Sequence, residues 1–150
     1  MKAMITVCGE FTNDRDKFWV ASSLLTDIAR LAQGLCEHNI EVEHVGSMDN
    51  AQMIERNALN GVDSEARLAR ACKVDFLYFL FQDERREFNI FKALQRLKEL
   101  LPSHITLVAC GIHNDRGLTC EQKKELERMG VEFITQSQIQ DRRIPIPVPR

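Results

Sequence analysis

Glu87 is the residue through which this sequence offers a reaction. It stands in QDERREFNIF (82–91), four residues before Phe91 and seven before Leu94. On a helix that spacing puts its carboxylate on the same face as two core-directed side chains. In the first turn it leans over whatever precedes the helix, rather than into open solvent. A carboxylate held there can act as a general base, or stabilise positive charge developing on a sugar. The competing reading is electrostatic: an acidic side chain in a first turn complements the helix dipole and need do nothing else.

The other chemistry-bearing residues fall in four short groups, each behind an apolar run. Gly9, Glu10, Phe11, Asn13 and Asp14 form the first, Ser47 the second, Gln82, Asp83 and Glu84 (with Glu87) the third, and Gly111, His113, Asn114 and Asp115 the fourth. Gly9 and Gly111 let a ligand come close to the backbone. His113 is the one histidine among these groups, and its plain alternative is a solvated loop side chain. Asp83 can equally be a helix cap. Cys8 and Cys110 could be nucleophiles, but each ends an apolar run with no His beside it in sequence, so small buried thiols are expected. There is no G-x-G-x-x-G and no Walker A sequence, which excludes the usual dinucleotide and triphosphate cradles. A magnesium-dependent phosphoacceptor pocket of the receiver type, with Glu10, Asp14, Asp83 and Glu84, fails because Leu80 stands where the acceptor Asp belongs. No Lys follows the fifth apolar run at Thr135-Gln136 either.

Those groups need a scaffold, and hydrophobic periodicity supplies one. Residues 4–8, 40–45, 74–81, 105–110 and 131–134 read as strands, the third so continuously apolar that it must be covered on both faces. Helical spacing runs from about 16 to 38, stopped by His38-Asn39, and again over 84–101, closed by Pro102. Between strands two and three, Asp49 can cap a helix to about 59. Asn60-Gly61 is expected to break it, and 64–72 to form a second short helix. Thr119-x-x-Gln122 has the spacing of a capping box, and Met129-Gly130 a glycine stop. The order predicts a single-domain, three-layer α/β/α, flavodoxin-like fold with a parallel five-stranded sheet in the order 2-1-3-4-5, lacking a full final helix. The α/β domain is taken as residues 1–138 and a proline-containing tail as 139–150, since the prolines of IPIPVP cannot donate to a ladder. Ligands in such sheets bind beyond the carboxyl ends of the strands, which is where all four groups fall. The first helix is apolar over much of its circumference, so either the tail or a second copy should cover it, and a homo-oligomer through helix 1 and the tail is expected.

Bulk properties narrow the partners. The chain has 150 residues, 44% hydrophobic and 28% charged, with net charge −2. Those values suit one globular domain, and no basic stripe marks a nucleic-acid binder. No apolar run is long enough to cross a bilayer, and MKAMITVCGE is no signal peptide. Five cysteines without a C-x-x-C pair fit a reducing compartment, hence a cytoplasmic location, and four dispersed histidines offer no metal cluster.

GEFTNDRDKF (9–18) and REFNIFKA (86–93), with this element order, resemble the TIR-like and nucleoside 2-deoxyribosyltransferase-like group across roughly residues 4–134. The resemblance implies an NAD, nucleoside or nucleotide ligand at the strand-end edge. It implies N-glycosidic chemistry with Glu87 as the key carboxylate, and contacts from Glu10 and Phe11. The deoxyribosyltransferases carry a glycine-rich segment ahead of their Glu, where this chain has Asp83-Glu84-Arg85-Arg86; the two arginines can hold phosphates or simply start a helix. Some TIR-like domains are purely adaptors. Two functional classes therefore stand: a nucleotide- or nucleoside-type ligand site, and a non-catalytic interaction domain.

Overall fold

The structure, a computed structural model, describes residues 1–9, 15–49, 58–81, 90–112 and 118–147. Its elements in chain order are β1 (Lys2–Gly9), α1 (Arg15–Glu37), β2 (Glu41–Asp49), α2 (Ala58–Ala71) and β3 (Phe76–Phe81). Then come α3 (Ile90–Leu100), β4 (Thr106–Gly111), α4 (Cys120–Arg128), β5 (Glu132–Thr135) and α5 (Gln136–Gln140). All pairings are parallel and the strand order is β2-β1-β3-β4-β5. This is the flavodoxin-like arrangement expected from the element order.

Handedness dictates which helix covers which face. The chain steps from β1 outward to β2, then returns past β1 to β3 and continues the other way. Right-handed crossovers consequently put α1 on one face and α2, α3 and α4 on the other. The core divides accordingly. Leu77, Phe79 and Phe81 of β3 pack with Val62, Ala66 and Ala69 of α2 and Ile90, Leu94 and Leu97 of α3. Phe76, Tyr78 and Leu80 point the opposite way, toward Leu31 and Leu35 of α1 and Ile139 of α5. Both sides of β3 are thus dry, which is why its sequence shows no polar alternation.

Several local signals act as read. Thr119 accepts from the Gln122 amide while the Gln122 side chain accepts from the Thr119 amide, a complete capping box. Asn39 ends the first helix at φ 58°, in the left-handed region. Cys8 and Cys110 are both buried thiols, and they lie on opposite faces of the sheet.

Two expectations need correction. The Asn60-Gly61 pair does not break the chain; α2 runs through it as one helix. Glycine in a helix interior costs about 1 kcal/mol relative to alanine, and burial of Val62, Ala66 and Ala69 along the same helix outweighs that. The second strand is also longer than the expected 40–45, because β2 continues past Gly46-Ser47 to Asp49, paired with Thr6–Gly9 of β1. The helix expected from a cap at Asp49 lies, over residues 50–57, outside the described residues.

The chain's own C-terminus covers the second half of α1. Thr135 and Gln138 form a second capping box that opens α5, a helix of five residues. Beyond it Ile144 is buried against α1, so close that a Cβ on Gly34 would meet its Cδ1 at 2.6 Å. Ile146 packs on the same cluster. Of the two covers expected for this helix, tail or second copy, the tail is the one in place over residues 31–35. Gln136 adds a polar pin: its Nε2 donates to Oδ2 of Asp27 at 2.8 Å, and Asp27, in the middle of α1, is buried.

Tyr78 carries an unusual burden. It is fully buried, and its hydroxyl is the one buried side-chain polar atom among the described residues with no partner. Burial pushes its pKa upward. Tyr78→Phe should raise stability by about 1–3 kcal/mol, the cost of a buried unsatisfied polar group. A higher urea midpoint at unchanged m-value is the expected readout; a fall would mean the hydroxyl is satisfied in solution. The gain should widen above pH 10, where unfolded tyrosine ionises and the buried one does not.

Candidate functional site

The candidate edge is assembled by β1, β3 and β4. Cys8 pairs with Phe81, Phe81 with Gly111, and Gly111 with Thr135, so these strands end in one transverse row. Gly9 continues β1 by one residue and pairs with Asp49 of β2. The Ile112 amide donates to the Phe81 carbonyl at 2.8 Å, which ties the β4 exit to the end of β3. Strand order reverses between β1 and β3, and at such a switch point the following loops part and leave a crevice.

Of the residues singled out in the sequence, Gly111 lies in this row and Gly9 one residue beyond it, each at the carboxyl end of its strand. The rest sit in the segments beyond it. Glu10, Phe11 and Asn13 come after Gly9, Asp83 and Glu87 after Phe81, and His113 after Gly111. All six lie outside the described residues, as do Asp14, Gln82, Glu84, Asn114 and Asp115. Ser47 belongs to β2 rather than to the loop after it. Among the described residues, no three His, Cys, Asp or Glu side chains gather as metal ligands, and no helix is long and apolar enough to cross a membrane.

Sequence reasoning passed over a polar cluster lower on the sheet. Thr6 Oγ1 donates to Oε2 of Glu65 at 2.8 Å, and His44 of β2 stands beside the same carboxylate. Burial drives the Glu65 pKa up, with the Thr6 hydrogen bond and the nearby imidazole pulling it back. A signal for this cluster does exist in the sequence. Glu65 is three residues after Val62 and four before Ala69, on the sheet-facing stripe of α2, while Thr6 alternates inward with Met4 and Cys8. A carboxylate on a buried stripe needs a donor, and an inward threonine supplies one.

No protein-family model matches the sequence, and no curated protein matches it.

Proposed function

We propose that the chain binds a nucleoside- or nucleotide-type ligand, NAD included, in the crevice beyond the carboxyl ends of β1, β3 and β4. There it cleaves or transfers the N-glycosidic bond, with Glu87 as the key carboxylate. The observation that supports this reading is the common row of strand ends at Cys8, Phe81 and Gly111. The segments bearing Glu10 and Phe11, Asp83 and Glu87, and His113 all leave the sheet from that row, at the point where strand order reverses. Bare glycines at two of the three exits, Gly9 and Gly111, suit close approach of a sugar or phosphate to the backbone.

The chemistry asked of Glu87 is simple to balance. The bond from the anomeric carbon to the base nitrogen breaks, its electron pair leaving with the base. The carboxylate stabilises the positive charge left on the sugar, and water or an acceptor base then adds at the same carbon. The test is incubation of the full chain with NAD and with a panel of nucleosides and deoxynucleosides, in parallel with Glu87→Gln. Release of free base by the wild type and its loss in the variant is the expected result. Absence of turnover and of binding by calorimetry across the panel, or equal rates for both proteins, would remove the reading.

A further inference from the structure

Thr6, His44, Gly46 and Glu65 meet on the α2 side of the sheet, below the strand ends, and β2 contains an irregularity that assembles them. Ala3 pairs with Val42, but Met4 pairs with His44, so Glu43 is an extra residue in the strand. Bulges are uncommon in parallel pairs, and they re-aim side chains. Here the effect can be read directly. Val42 packs on the α1 side with Ala3, whereas His44 pairs with Met4, whose side chain belongs to the α2 side. Without the extra residue His44 would register with Ile5 and face α1.

Gly46 completes the arrangement. A Cβ there would meet the two Glu65 carboxylate oxygens at 3.0 and 3.1 Å and His44 Nε2 at 3.1 Å. Both groups therefore lie against bare backbone. Thr6 is the hydrogen-bond donor to Glu65, and the His44 imidazole acts on the same carboxylate.

We propose that Glu65 is a proton-operated clamp between α2 and the sheet, set against Thr6 of β1 and His44 of β2, closed when its carboxyl holds a proton and slackened when it is ionised. A half-buried carboxylate is stable there when neutral, or when a charged imidazole balances it; alone and ionised, it pulls toward water. The other nearby charges are paired or exposed. On β2, Glu43 pairs with Lys2 of β1 at 3.3 Å. On α2, Asp63 is held by Arg96 of α3 at 3.4 Å and Arg67 is exposed. β1 places Lys2, Met4, Thr6 and Cys8 on this side, with Lys2 held by Glu43, and His44 is the titratable group that acts on Glu65. A metal ion would ask for at least three protein ligands, and the described residues provide no such group.

The sign is set by burial. Because the folded protein holds the Glu65 pKa above its ordinary 4.5, its contribution is complete below pH 4.5 and is lost as pH rises through the folded value. Urea unfolding of the full chain and of Glu65→Gln, from about pH 4 to pH 8, reads this out. The ratio of folding constants, variant over wild type, should climb with pH and then level, about tenfold for each unit by which the pKa is raised. A ratio flat across that range would overturn the clamp. Carboxyl NMR of native protein supplies a second reading that does not depend on unfolding. In His44→Gln the Glu65 titration midpoint should move up, because the balancing charge is gone; an unmoved midpoint would also overturn it.

Discussion

Glu87→Gln should slow cleavage of an N-glycosidic bond by about 10²–10⁴-fold, the usual worth of a positioned catalytic carboxylate, while leaving the protein folded. The substitution keeps shape and removes only charge, so it separates the two roles open to this residue. If Glu87 serves merely as a dipole partner in a first turn, its neutralisation costs about 0.3–1 kcal/mol of stability and changes no rate. On the proposed chemistry the rate collapses and stability barely moves. Measuring base release and urea midpoint on the same preparation distinguishes these outcomes.

The second large effect concerns the C-terminus. A chain ended at residue 138 should lose about 3–6 kcal/mol, since it forfeits Ile139 and Ile144, both buried, at about 1.5–3 kcal/mol for each buried aliphatic side chain. Against a typical domain stability of roughly 5–15 kcal/mol that is a severe loss. It also uncovers Leu31, Gly34 and Leu35 of α1. Sedimentation should therefore show the shortened chain associating with rising concentration, through an apolar strip that the full chain hides. Equal midpoints for the two chains would mean that the tail does not seat on α1 in solution. The experiment also addresses the self-association expected from the sequence, because association of the full chain to the same extent would implicate another surface.

The sequence disclosed the architecture where one physical cause dominated. The six-residue run of β3 had to be central because nothing in it could face water, and every one of those residues is buried. Asn39 and the Thr119 capping box spoke through local hydrogen bonding alone, so no tertiary context could mask them. The same logic should have revealed α5: Thr135-x-x-Gln138 repeats the signature of Thr119-x-x-Gln122, but the prolines downstream drew attention instead. Misreadings arose where local preference and packing pull in opposite directions. Asn60-Gly61 looks like a break until the apolar stripe after it is laid on a sheet, and Gly46-Ser47 looks like a strand end until β1 extends a ladder beside it. The inward-facing acids Asp27 and Glu65 were hidden for a related reason. A carboxylate in an apolar stripe is read as a lapse in the pattern, and its partners, Gln136 and Thr6, are 109 and 59 residues away. At the candidate edge, Gly9 and Gly111 are positions that the sequence did indicate; the roles of Glu87 and its companions rest on chemistry and resemblance.

The extra residue in β2 also bears on edge-to-edge pairing of the sheet. The two outer margins of the sheet differ in kind, β5 offering four residues and β2 nine. A long straight margin is a template on which another copy can stack without limit. Glu43, where the β1–β2 register slips by one residue, interrupts that margin near its start and sets a tethered acid there. Growth by lateral addition of strands is thus discouraged at the margin with most backbone to offer.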